Sequence, residues 1–141
     1  MKDIKRLRKQ LLGNWKASSD DVFNAYSKIL DHIFNEPCNN MKHMSFGSFG
    51  RIVNNNKISN ETLLNLVFHV INRAELLDMK YEFIDDNEMC YPLTLEIVKE
   101  AKLSGLLYHP ETGYPVRSYH EKVFMYFIPS QKLLDLKNGS L

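Results

Sequence analysis

An α+β fold follows from three features of the 141-residue chain. Apolar residues recur at helical spacing through the first two-thirds, the period switches to alternation near residue 79, and a strand-like hexamer, Val123 to Ile128, lies near the end. Helices therefore fill the N-terminal two-thirds, and a further helix with an antiparallel hairpin closes the chain. With 44% hydrophobic and 25% charged residues the composition is that of an ordinary globular protein, and the length suits one domain over 1–141. Within it we expect a basic amphipathic helix or arm over 1–17, a helical core over 18–78, and a small β-hairpin, a helix and a second hairpin over 79–136.

The arm places Ile4, Leu7, Leu11 and Trp15 on one helical face with cations on the others. Gly13 weakens its end by about 1 kcal/mol relative to alanine. The single tryptophan is expected to pack this helix onto the body. Ser18, Ser19 and Asp20 offer N-cap oxygens to a helix carrying Val22, Phe23, Tyr26, Ile29, Leu30, Ile33 and Phe34 as one wide stripe. Pro37 and Asn39-Asn40 end it. Residues 38–57 read as an irregular loop, pinned by Phe46 and Phe49, since Gly47, Gly50 and Arg51 match neither a phosphate loop nor a dinucleotide fingerprint.

Ser59 or Asn60 caps the third helix, whose apolar positions run from Leu63 to Leu77 and include His69, expected as a partly buried polar residue rather than a ligand. Met79, Tyr81 and Phe83 then alternate with polar residues, and Asp85 to Glu88 make a turn before Met89-Cys90-Tyr91. The pair Asp85-Asp86 suits turn chemistry better than metal binding, having no calcium-loop spacing. After Pro92, Thr94 caps a helix that Gly105 ends in the left-handed region. Leu106 to Tyr108 is a strand, His109 to Gly113 a turn, and Val116 to Ile128 the returning strand. Pro129 stops it, and a short helix begins at Gln131.

Charge is uneven although its net value is +1. Residues 1–16 hold six cations against Asp3, and residues 75–100 hold eight acids against Lys80 and Lys99. From residue 101 onward five cations face three acids. A basic arm can track phosphates, and the acidic block can repel nucleic acid or meet a basic surface. Cys38 and Cys90 are too far apart in sequence for a Cys-x-x-Cys motif and suit a reduced cytoplasmic chain. The basic start lacks the apolar core of a secretory signal, and no run reaches membrane-spanning length, so a cytoplasmic location without a membrane partner is expected.

Leu103-Ser104-Gly105-Leu106-Leu107-Tyr108, followed by Glu111-Thr112-Gly113 and the Val123 to Ile128 run, resembles the helix, strand and wing of winged helix-turn-helix DNA-binding proteins. The resemblance covers the last third of the chain. It implies a recognition helix for the major groove and a wing on the backbone or minor groove. Carried onto this sequence, it places Thr94, Lys99 and Lys102 on the helix and Arg117, Tyr119 and Lys122, with Tyr114 and His120, on or beside the wing. The chain departs from the family in the acidic insertion Asp78 to Tyr91 and in Glu96 and Glu100, which share the helix with its two lysines.

No His-x-x-x-His, zinc module or Gly-x-Ser-x-Gly elbow is present. A metal-dependent nuclease using Asp85 or Asp86 with Glu96 and Lys99 lacks its strand context. The sequence thus predicts a non-enzymatic protein without cofactor or metal, a regulator that contacts double-stranded DNA through Lys5, Arg6, Arg8 and Lys9 of the arm and through the helix and wing. The competing expectation is an interaction or inhibitor protein, bound to a protein partner or paired as a homodimer, that meets a basic surface through the acidic stretch 75–88, with Glu82, Asp85, Asp86 and Glu88 as its contacts.

Overall fold

Six helices, five strands and two short 3₁₀ turns, at Cys38–Met41 and Tyr119–Glu121, make up the described chain and establish the α+β class. In order they are α1 (Lys2–Gly13), α2 (Asp20–Asn35), α3 (Phe46–Val53), α4 (Asn60–Asn72), β1 (Leu77–Ile84), β2 (Cys90–Leu93), α5 (Leu95–Ser104), β3 (Leu107–Tyr108), β4 (Pro115–Val116), β5 (Val123–Pro129) and α6 (Gln131–Asn138). This is a computed structural model describing residues 2–138; the outermost positions of the expected 1–141 domain lie outside them. The chain divides into two compact units, one formed by residues up to 78 and from 127, the other by Met79–Tyr126.

The first unit is helical. Ser19 caps α2 by accepting from the Val22 amide at 3.3 Å. The stripe of α2 is buried at Ala25, Tyr26, Ile29, Leu30, Ile33 and Phe34. Burying each large apolar side chain contributes about 1.5–3 kcal/mol before entropy is counted. α1 lies beside α2 and α6, while α3 lies between α2 and α4. Phe49, Leu66, Val67, Val70, Phe127 and Leu133 complete the core. The backbone of Met44 exchanges two hydrogen bonds with that of Phe127, at 2.9 and 2.7 Å, which ties the segment before α3 to the start of the returning C-terminal chain.

Two expectations change here. Residues 46–53 are helical rather than irregular, because Ser45 and Ser48 form a reciprocal capping box and Asn54 closes the helix in the left-handed region at φ 47°. The two glycines lower helix propensity, but Phe49 and Val53 on one buried face offset that cost. The third helix stops at Asn72 rather than running to Leu77, since Glu75 at φ 56° turns the chain into β1. Ala74, Leu76 and Leu77 are buried from outside the helix.

In the second unit β1 pairs antiparallel with β2, Phe83 opposite Tyr91 and Tyr81 opposite Leu93, in a sheet of order β2-β1-β5. Thr94 caps α5 through the Ile97 amide, and Gly105 ends it at φ 76°. Phe83, Leu93, Val98, Ala101, Leu107 and Tyr119 form a small separate core. The expected hairpin between residues 106–108 and 116–128 is corrected. β3 pairs with Pro115-Val116, and β5 belongs to the sheet of β1. The cause is local: the 109–114 turn, with Gly113 at φ 75°, reverses the chain within a few residues. Ser118 at φ 52° and the second 3₁₀ turn then redirect it.

Candidate nucleic-acid interface

The basic residues of the arm are carried by α1, whose apolar positions Ile4, Leu11 and Leu12 are buried. That face being occupied, the cations are displayed on the others. Lys5, Arg8, Lys9 and Lys16 surround a groove of about 470 Å³ whose remaining lining is Leu12, Gly13 and Phe23. Past Gly13 the chain tightens into i to i+3 hydrogen bonds, Trp15 to Leu12 at 3.0 Å and Lys16 to Gly13 at 3.4 Å, which keep Lys16 on the groove. Arg8 is engaged: its Nε lies 2.7 Å from Asp31 Oδ1 and its Nη2 2.7 Å from Ser27 Oγ. Among the described residues no ion pair holds Lys5, Lys9 or Lys16. Arg6 is exposed on α1 but does not line the groove.

In the second unit α5 buries only Val98 and Ala101. Opposite them on the helix wheel stand Glu96, Lys99, Glu100 and Leu103, so the outward face balances two acids against one cation. Lys99 and Lys102 are exposed, as is Thr94, whose hydroxyl is used as the cap. Arg117 is exposed and lines a cleft with Asp85, Asp86, His109 and Lys122. Two expected contact residues are placed otherwise. Tyr119 is buried and its hydroxyl donates to the Ala101 carbonyl at 2.9 Å, locking the 3₁₀ turn onto α5. Lys122 Nζ lies 2.9 Å from Asp86 Oδ1 and so is committed to an intramolecular ion pair.

Of the acids expected to meet a basic partner, Glu82 and Asp85 are taken up by the fold. Glu82 is buried. Asp85 Oδ1 accepts from the amides of Asn87 and Met89, both at 2.9 Å, which is the turn chemistry expected of it. Its Oδ2 lies 3.1 Å from His109 Nε2. His109 Nδ1 faces the amides of Glu111 and Thr112 at 3.0 and 3.2 Å, so it is the acceptor and Nε2 carries the proton toward Asp85. The bond from His109, aided by the two amides, holds the Asp85 carboxyl below its ordinary range. Beside it the Tyr91 hydroxyl donates to Glu111 Oε2 at 2.7 Å, and this bond, with burial, pushes the phenol up to about 12. The histidine is thereby saturated with structural partners and clips two loops together. Asp86, which pairs with Lys122, and Glu88 are exposed, as are Glu75, Asp78, Glu96 and Glu100 of the same acidic block.

Trp15 packs as expected, its ring centroid 5.5 Å from Tyr26 and 5.4 Å from His69. Tyr26 and His69 share a hydrogen bond of 2.6 Å between the phenol oxygen and Nδ1. Burial raises the Tyr26 phenol, while burial and then the charge of Arg73 lower the His69 imidazole. Among the described residues no group of three His, Cys, Asp or Glu side chains could hold a metal ion, and no helix is long and apolar enough to cross a membrane.

The structure therefore gathers Lys5, Arg8, Lys9 and Lys16 of the basic run on one groove and adds Gly13 and Phe23, which the sequence does not group with them. Lys16 was visible as part of the basic run. Phe23 was not, because on the α2 stripe it reads simply as core. The Asp85–His109 pair, 24 residues apart in sequence, had no sequence signal. No protein-family model, curated protein or solved structure matches this chain.

Proposed function

We propose that the chain is a small non-enzymatic DNA-binding protein that takes the phosphate backbone through the cationic groove of α1, in the service of a regulatory role. The observation that carries this reading is the convergence of Lys5, Lys9 and Lys16, free of ion pairs among the described residues, on one groove. Lysines so placed can exchange condensed counterions for phosphates, the main source of affinity for a polyanion. Lys99, Lys102 and Arg117 of the winged-helix-like segment supply secondary contacts. Their share is smaller, because Glu96 and Glu100 accompany the lysines on α5 and the acidic turn shares the cleft of Arg117.

Anisotropy of a labelled mixed-sequence DNA tests this with two variants. Lys5→Glu/Lys9→Glu should abolish most binding, and Lys99→Glu/Lys102→Glu should weaken it only a few-fold. The reverse ranking would move the site to α5 and the hairpin, and absence of binding by the parent protein at low salt would end the reading.

A second reading is favoured by one observation. Among the described residues, the large apolar side chains exposed by 40–89% fall between Met89 and Phe124, with Leu103 at 89% the extreme. A protein partner or a second copy on the second unit would cover them. Light scattering tests the homodimer: a dimer mass that reverts to monomer in Leu103→Glu supports it, and a monomer at every concentration removes it.

A further inference from the structure

The groove on α1 has a floor as well as a cationic rim. Leu12 and the half-buried Phe23 form that floor, and Gly13 lies at its edge with nothing within 4 Å of where a β-carbon would stand. At about 470 Å³ the space lies inside the roughly 300–1,000 Å³ of ligand clefts. Lys5 and Lys9 stand one helical turn apart, about 6 Å along the axis, and Lys16 follows beyond Gly13. Arg8 is set aside from this rim because Asp31 and Ser27 hold it. Trp15 is occupied with Tyr26 and His69, which leaves Phe23 as the ring on the groove.

These features select among polyanions. A duplex keeps its base faces stacked inside and offers a protein phosphates and groove edges, for which an apolar aromatic floor has no use. A single strand offers phosphates and unstacked π-faces together, the combination met by a positive groove with an aromatic platform. An acidic peptide matches the lysines and leaves the ring without a planar partner. Resting on the DNA-binding reading above, we infer that this groove is a single-strand site, in which one base lies on Phe23 and Leu12 and the flanking phosphates meet Lys5, Lys9 and Lys16.

The test uses the full chain, a fluorescein-labelled oligothymidylate and a mixed-sequence strand, each beside its duplex, with unlabelled poly-glutamate as competitor. The single strands should bind at least tenfold more tightly than the duplexes. Phe23→Leu should weaken strand binding about tenfold while leaving duplex binding nearly unchanged. Since Phe23 is partly core, a second variant guards against misfolding: Gly13→Leu has open space to occupy and should block the strand with an unchanged or higher melting temperature. Duplex binding equal to strand binding, or strand binding that survives Gly13→Leu, overturns the inference and leaves the DNA-binding reading standing. Displacement by poly-glutamate as effective as by oligothymidylate also overturns it. Failure of strand and duplex alike ends both.

Discussion

Replacing Lys5, Lys9 and Lys16 together by glutamine removes three charges from the groove and little else, because all three side chains are exposed and unpaired among the described residues. Arg8 is left out of the count, its guanidinium being held by Asp31 at 2.7 Å. Three phosphates neutralised on a single strand give a slope of log K against log salt of about −2, and on a duplex of about −2.7. Raising salt from about 50 to about 200 mM then weakens the parent protein roughly 20-fold on the strand or roughly 40-fold on the duplex. The triple variant should lose most of that dependence and keep only the smaller share carried by Lys99, Lys102 and Arg117. Substitutions at such surface positions typically change stability by less than about 0.5 kcal/mol, so the thermal transition should stay in place. Anisotropy titrations at four or more salt concentrations read the slope directly. A variant that keeps the parent slope would show that the phosphates are held elsewhere, and a parent protein indifferent to salt would refute the electrostatic argument altogether.

Other consequences concern the fold around the candidate site. Leu66→Ala empties a fully buried position on α4 and should cost about 2–5 kcal/mol in denaturant unfolding, with a cost under 1 kcal/mol indicating that the α4 core is loosely packed. Gly105→Ala forces a side chain into φ 76° at the end of α5 and should lower stability by about 1–2 kcal/mol, whereas a neutral result would mean that α5 does not end in the left-handed region. The His69 imidazole sits below its ordinary 6.5, so the unfolded chain binds the proton first and stability should fall as pH drops through 6.5 toward the folded value. Proton NMR of the ring should place its titration below 6.5, and a higher midpoint contradicts the burial argument. The Asp85 carboxyl is depressed instead, and its contribution is present above its ordinary 3.8 and lost as pH falls through that value and the folded one. Asp85→Asn should therefore flatten the acid limb of a pH–stability curve, and an unchanged limb would assign acid unfolding to other carboxylates.

Most elements of this fold could be read from short stretches of chain. Ser19, Ser59 and Thr94 each cap the helix that follows, and Gly105 ends α5 as its type demands, because a cap needs only three or four neighbouring residues to be recognised. α3 escaped notice for the opposite reason. Its glycines argue against a helix, and only the capping box and the burial of Phe49 and Val53 outweigh them. The candidate site was legible in part. The lysines stood out as a basic run, but Phe23 became part of a groove only when the end of α1 was laid along α2.

Periodicity, caps and turn residues were sufficient to specify the α+β class and the cationic character of the first helix, since both are properties of near neighbours. Partnership across long separations was decided by packing alone. That β5 joins β1 rather than β3, that Tyr119 is buried on α5, and that Lys122 and His109 are committed to Asp86 and Asp85 depend on which surfaces meet in space. The physical reason is that a strand's alternation and a lysine's charge declare what kind of partner each needs. Several segments here satisfy the same need, and only the assembled chain chooses among them.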